Sequence, residues 1–166
     1  MKILISNDDG YLAEGIQVLA KYLSIDHQVV VVAPNENKSA SSSSLTLNRA
    51  LKPVKIDTNI YSIDATPSDC VHLALCGFLE DEFDLVVTGI NFGPNLGDDV
   101  IYSGTVAGAI EGRFLGLPSI AISLASWQGE NFETAGRVVQ KIINQLHTSQ
   151  LSHDTVLNIN VPDIDY

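Results

Sequence analysis

Two adjacent carboxylates, Asp8 and Asp9, close an apolar run that starts almost at the N-terminus, Lys2-Ile3-Leu4-Ile5-Ser6-Asn7, and Gly10 follows them. Side by side they repel. The compensating charge for such a pair is commonly a hard divalent cation, since carboxylate oxygens suit Mg²⁺, Mn²⁺ or Ca²⁺. The structural alternative is a turn over Asn7 to Gly10, with Asp9 capping the next helix. A second candidate is Ser103-Gly104-Thr105, which opens a helical run after the Gly/Asn-rich segment Gly89 to Asp99. Unpaired backbone N–H groups and the positive end of the dipole make a helix start an anion cradle, to which Ser103 and Thr105 add hydroxyls. Alternatively Ser103 is only a cap and the glycines only permit close packing. The segment is neither a Walker loop, having no Gly-Lys-Ser/Thr, nor a dinucleotide fingerprint, lacking G-x-G-x-x-G. Together the two stretches suggest phosphoester hydrolysis. A cation on Asp8 and Asp9, with neutral oxygens from Asn91 or the serine segment, would face a phosphate held by Ser103 to Thr105. Water on such a cation has a lowered pKa and can attack phosphorus.

These residues need a frame that brings distant segments to one edge. Lys2 to Ser6 reads as a buried parallel strand. Ile16, Leu19, Ala20 and Leu23 recur at helical spacing to about Ser24, and Gln28 to Ala33 reads as a second strand stopped by Pro34. Strand, helix and strand in about thirty residues make a right-handed βαβ unit. Asn35 to Ser44, with four consecutive serines, has the composition of a mobile loop or of a loop whose hydroxyls face a ligand. Lys52 to Asp57 and Asn59 to Ile63 read as a hairpin. Thr66-Pro67-Ser68-Asp69 is a helix start, and that helix is expected to run to about Glu80. Phe83 to Thr88 is the next strand, Gly89 to Asp99 an irregular loop, and Pro118 to Leu124 and Thr155 to Val161 further strands. A clean amphipathic helix covers Phe132 to Leu146. Gly104, Ala107, Gly108 and Gly112 predict a helix lying very close to the sheet. About five core strands alternate with about four helices, so the expected fold class is α/β. It would be a three-layer, doubly wound, mostly parallel sheet (Rossmann-like) with a small β insertion. In such sheets ligands bind outside the carboxyl ends of the strands, where strand order reverses.

Composition narrows the partners. The chain of 166 residues has 9 basic and 20 acidic side chains, a net charge of −11, which argues against a basic face for long nucleic acids. It does not argue against a small phosphorylated substrate, because a metal and helix N-termini can make a site locally positive. No stretch approaches the ~20 apolar residues of a membrane span, and no signal peptide is visible. These features predict a cytoplasmic protein. Cys70 and Cys76 match neither a zinc nor a redox pair, and their apolar helical setting predicts buried thiols.

The motifs carry a family resemblance. Ser6-Asn7-Asp8-Asp9-Gly10 with Ala13 and Gly15 resembles the opening motif of the SurE family of stationary-phase survival proteins. Ser39 with Ser41 to Leu47 resembles its serine loop. Thr66 to Val71, Gly89-Ile90-Asn91 through Gly97 to Val106, and Asn158-Ile159-Asn160-Val161-Pro162 are further matches, in order along the whole chain. The resemblance implies a phosphatase dependent on one divalent metal, Mg²⁺ or Mn²⁺, acting on nucleoside 5′- and 3′-monophosphates and in some members on polyphosphate. It implies metal ligands at Asp8, Asp9, Ser39 and Asn91, and phosphate contacts at Asn95, Ser103, Gly104 and Thr105. Asp8, Asp9, Asn95 and Ser103 would be the catalytic residues. It further implies a homo-oligomer, dimer or tetramer. Three departures stand out. Ala40 occupies a position where the family often has Gly, and Tyr11 and Leu12 replace smaller or more polar residues. The sequence stops at Tyr166, where family members usually continue into an exchanged, dimer-forming extension. Residues 1–166 are therefore expected to form one SurE-like phosphatase domain without that extension.

Two other classes share part of this pattern. Haloacid-dehalogenase-like phosphatases use a D-x-D motif after the first strand, but here the nucleophile position is Asn7. Receiver modules of signalling proteins also hold Mg²⁺ with an acidic pair after the first strand. They need a phosphorylatable Asp and a Lys after later strands, where this chain has Gly89-Ile90-Asn91 and Ser123-Leu124.

Overall fold

Strands buried on both faces lose the alternation of half-exposed ones and become continuous Val/Ile/Leu runs. Ile3-Leu4-Ile5 and Val29 to Ala33 are such runs, and all are buried. They form the centre of one seven-stranded sheet in the computed structural model, which describes residues 1–146, 151 and 154–166. In chain order the elements are β1 (Lys2–Ser6), α1 (Glu14–Leu23), β2 (Gln28–Pro34), β3 (Val54–Asp57), β4 (Ile60–Ile63), α2 (Pro67–Leu73), β5 (Leu85–Phe92), α3 (Gly104–Phe114), β6 (Ser119–Leu124), α4 (Phe132–Gln145) and β7 (Val156–Val161). The spatial order is β3-β4-β2-β1-β5-β6-β7. Every neighbouring pair is parallel except β3 with β4. The β insertion thus extends the sheet at one edge.

Alternate strand residues feed two cores. Ile3, Ile5, Val31 and Val87 pack with Ile16, Leu19 and Leu23 of α1 and Val139 and Ile143 of α4. Leu4, Val30, Val32 and Val86 pack with Cys70 and Val71 of α2. Helix α3 lies beside α2 on that second face. As its small residues predict, it sits almost on the sheet: a Cβ on Gly112 would come 2.7 Å from both Ser119 Oγ and Val86 Cγ2. No helix among the described residues is long and apolar enough to cross a membrane.

Three local expectations are corrected. Gly89 to Phe92 is not loop: β5 continues to Phe92 through a register shift between Thr88 and Asn91 against β6. A glycine inside a strand marks a bulge or a close backbone approach, and a Cβ on Gly89 would lie 2.2 Å from the Ile122 carbonyl oxygen. The α-helical part of the segment from Pro67 ends at Leu73 and loosens into a π-helical turn, Ala74–Phe78, short of Glu80. That turn brings Cys76 to the surface, so only Cys70 is a buried thiol. The start at Thr66 is as read, a reciprocal capping box with Asp69.

Candidate active site

The chain runs outward from β1 to β2 and the hairpin, then returns to β5 on the other side of β1. The β1/β5 boundary is therefore the switch point, and its carboxyl edge carries Asp8, Asp9 and Asn91. Asn7 shapes the turn: its amide nitrogen donates to the Gly10 carbonyl (2.9 Å) and its amide oxygen accepts from the Gly10 N–H (3.2 Å). Asp9 does not cap α1, whose N-cap is Ala13 with no side-chain cap.

Asp8 is buried, and the hydroxyl of Thr105, in the first turn of α3, donates to its Oδ1. The same hydroxyl lies 3.3 Å from Asn91 Oδ1. One hydroxyl has one proton, so Asp8 Oδ1 and Asn91 Oδ1 are two acceptors gathered around a single donor. The Asn91 amide is oriented by its other end, which donates to the Gly93 carbonyl (2.8 Å) and more weakly to that of Phe92 (3.3 Å). Asp9 Oδ2 accepts from the Phe92 N–H (3.3 Å) and Oδ1 from the Asn37 amide (3.3 Å). Gly104 makes the approach of α3 possible. A Cβ there would meet Asp8 Cβ at 2.8 Å, and Asp8 Oδ2 and Ser41 Oγ at 2.9 Å each.

Burial raises the Asp8 carboxyl above the ordinary carboxylate range, opposed by hydrogen bonds from the Thr105 side chain and from the backbone at Gly104 and Thr105. Burial, and then the charge of Asp8, push Asp9 up to about 6. Burial leads in both shifts, and the neighbouring like charge adds to that of Asp9. The lysine whose backbone touches Asp8 turns its side chain away: Lys38 donates its backbone N–H to the Asp8 carbonyl (2.7 Å), but its ammonium pairs with Glu36 and Asp64.

Ser103 is the N-cap of α3, its Oγ accepting from the Val106 N–H (3.1 Å). That geometry fits the cap reading, and it leaves the hydroxyl proton for another acceptor. Asn95 stands one step along the edge, over β6 and β7. Its backbone N–H donates to Asn160 Oδ1 (2.8 Å), and its carbonyl accepts from Asn158 (2.9 Å) and Asn160 (3.0 Å). Its side-chain amide donates to Ser123 Oγ (2.9 Å). Ser39 is exposed on the segment after β2, its N–H donating to Asn37 Oδ1 (2.8 Å). Asn37 thus links Ser39 to Asp9.

Several contributors lie outside the set of site residues read from the sequence. Asn37, Ser123, Asn158 and Asn160 hold the loops that carry the candidates. Asn158 and Asn160 did leave a signal, two amides at strand spacing and so on one face. Ser41 left none within a run of like residues; its Oγ is buried, has no hydrogen-bond partner and lies against Gly104 beside Asp8.

The donor set suits a hard cation: two carboxylates, an oriented amide oxygen and hydroxyls, with no sulfur or imidazole. No group of three or more His, Cys, Asp or Glu able to hold a metal occurs among the described residues. Beyond the two carboxylates, any such shell would draw on neutral oxygens: amide or backbone carbonyls, hydroxyls and water.

Known proteins match the chain over nearly its whole length. The profile of the family described as "Survival protein SurE" matches residues 3–166. A protein of Ruthia magnifica subsp. Calyptogena magnifica named 5′-nucleotidase SurE is 73% identical over 164 residues, 99% of this chain and 66% of that protein. A protein of the same name from Legionella pneumophila (strain Lens) is 55% identical over 99% of this chain and 65% of its own length. The chain thus spans about two-thirds of the length of these curated relatives. The crystal structure of the SurE protein from Aquifex aeolicus superimposes with a TM-score of 0.95 at 46% identity, covering 100% of this chain and 68% of that one.

Proposed function

The chain belongs to the SurE family, and from that premise we propose that it is a metal-dependent phosphatase that hydrolyses nucleoside 5′- and 3′-monophosphates to nucleoside and phosphate. The observation that carries the reading is the gathering of Asp8 Oδ1 and Asn91 Oδ1 around the Thr105 hydroxyl at the sheet edge, with Asp9 next in the chain and held by the Phe92 N–H. Asp8, Asp9, Ser39 and Asn91 would hold one Mg²⁺ or Mn²⁺. When bound, the cation supplies a Lewis acid that lowers the pKa of water and neutralises charge developing on the phosphoryl group. The protein's own groups do the rest. The turn fixed by Asn7 presents both carboxylates at once. Thr105 orients Asp8. Ser103, Gly104, Thr105 and Asn95 receive the phosphate, with the Ser103 hydroxyl donating outward while its oxygen caps α3. The same site would accept polyphosphate. The cellular setting we assign is the cytoplasm, in a homo-oligomer, with residues 1–166 as the catalytic domain.

Two features argue against the rival classes. Asn7, at the nucleophile position of an aspartyl-phosphate enzyme, is buried and committed to Gly10 at both ends of its amide. The carboxyl ends of β5 and β6 carry neither the Asp nor the Lys of a receiver. The test is phosphate release from AMP, GMP, CMP, UMP, 3′-AMP and polyphosphate with Mn²⁺, with Mg²⁺ and after chelation. Release from the monophosphates that chelation abolishes is expected. Release undiminished by chelation, or none with either metal, overturns the reading.

A further inference from the structure

Beside the acidic corner the sequence exposes two large aromatic rings. Phe92 is 43% exposed and Trp127, the only tryptophan, 72% exposed. Their centroids are 6.2 Å apart at an interplanar angle of 69°. Each ring rests on a glycine beside the other: a Cβ on Gly93 would come 2.4 to 2.8 Å from three atoms of the Trp127 ring, and one on Gly129 within 2.3 Å of the Phe92 ring. Trp127 therefore lies against backbone on one side and shows its remaining surface to solvent.

The loop that carries Trp127 is held closely. Ser126 Oγ accepts from the Gln128 N–H (3.0 Å) and the Gly129 N–H (3.4 Å). Asp163 accepts from the Glu130 N–H (3.2 Å), the Asn131 N–H (2.8 Å) and the Asn131 side chain (3.0 Å). The Ala125 N–H donates to the Val161 carbonyl (2.7 Å). Three consecutive residues join platform and corner. Asn91 turns its amide oxygen to the site, the Phe92 N–H donates to Asp9, and the Gly93 carbonyl anchors the Asn91 amide while its α-carbon backs Trp127. Asn91 and Gly93 α-carbons are at most about 7 Å apart along the chain, the scale of a ribose.

We propose that Phe92 and Trp127 form a nucleobase platform that stacks the base, purines above pyrimidines, of a substrate whose phosphate lies at Asp8, Asp9 and Asn91. The proposal rests on the phosphatase reading for the phosphate's place. Apart from it, it stands on a rigid, exposed aromatic pair attached to that edge. Stacking is sequence-tolerant because every base has a π-face, and it strengthens with base size.

Trp127 reports on itself by fluorescence. AMP is titrated against ribose 5-phosphate and inorganic phosphate, with Mn²⁺ present, and kcat/KM is measured for AMP and for ribose 5-phosphate in wild type, Trp127→Ala and Trp127→Phe. AMP should quench Trp127 at concentrations where ribose 5-phosphate does not. Trp127→Ala should lower the AMP to ribose 5-phosphate selectivity about tenfold, through KM rather than kcat, and Trp127→Phe should restore most of it. Selectivity unchanged by Trp127→Ala overturns the platform while leaving the phosphatase reading standing. So does an altered oligomeric state by light scattering with selectivity intact, which assigns the rings to contact with a second copy. If wild type hydrolyses neither substrate, the phosphatase reading fails, and adenosine decides the platform alone: quenching that Phe92→Ala weakens supports it, and none overturns it.

Discussion

The candidate site has two halves held in different ways. Asp8, Asn91 and Thr105 are buried and fixed by β1, β5 and α3, whose packing is set by the sheet itself. The serine half has no regular element. Its Ser42 N–H reaches the Tyr102 carbonyl (3.2 Å), Ser42 Oγ the Ile101 carbonyl (2.8 Å), and Thr46 both oxygens of Asp69 at the start of α2. Two of its residues, Ala40 (φ 60°) and Ser42 (φ 52°), have left-handed backbone, which costs an L-residue roughly 1–2 kcal/mol. The sheet-built half takes its shape from strand and helix packing, and the loop touches it through the Lys38 N–H to Asp8 and the Asn37 amide to Asp9. The serine half is a strained segment pinned at a few points, so the oxygens it offers depend on those pins.

The largest effect that separates the halves should come from Asp9→Asn. It removes a charge from the rigid half and should lower nucleotidase turnover by at least about 10²-fold, with loss of the calorimetric signal for Mn²⁺. Because burial and the Asp8 charge disfavour the ionised Asp9 carboxyl, the metal-free variant should melt at or above the wild-type temperature. A variant that turns over near the wild-type rate would show that the sheet half does not hold the catalytic metal. Ser103→Ala comes next, with a fall in turnover of about 10²-fold if its hydroxyl meets the phosphate. The lost cap would cost about 1 kcal/mol. Reduced stability with full turnover would make Ser103 a cap alone. Thr105→Val leaves Asp8 and Asn91 facing each other without their shared proton. Metal affinity should drop about 10- to 100-fold, read by calorimetry as well as activity.

A pH comparison sharpens the contrast without disturbing the loop. The folded Asp9 carboxyl titrates at about 6, above its ordinary 3.8. The native state therefore binds this proton more tightly than the unfolded chain, and the associated stability is present in full below 3.8 and lost as pH rises through 6. In chelator, the melting-point gap between wild type and Asp9→Asn should close as pH falls from 7 to 5. A gap that widens would mean that Asp9 has a positive partner. The smallest effect belongs to the serine half: Ala40→Gly should relieve left-handed strain and raise stability by no more than about 1 kcal/mol. A loss of stability would show that the loop gains more from a fixed chain than from a relaxed one.

The two halves also differ in how much of them the sequence revealed. Continuous apolar runs located β1, β2 and β6, and the capping box located α2, because these signals are local. The acidic pair at the end of β1 was legible for the same reason. The bond from Thr105 to Asp8 spans nearly a hundred residues and exists only because α3 can lie on the sheet, so composition could mark Thr105 as a helix-start hydroxyl and no more. Gly89 misled because a glycine that reads as loop is here the residue that admits the Ile122 carbonyl to a continuing strand. Within the serine segment, four like residues in a row left nothing to tell the buried Ser41 hydroxyl from those of its neighbours.

The fit of Gly104 against Asp8 and Ser41 also bears on heredity. Every single-base missense change in a glycine codon adds a side chain, and the space a first carbon would need at 104 is filled on three sides by the acid, its oxygen and a serine hydroxyl. Neutral drift is therefore closed at this position while the acidic corner is in use. A randomised library at codon 104, selected for nucleotide hydrolysis, should return glycine alone. One at codon 40, one residue before that serine in the chain, should return a mixture.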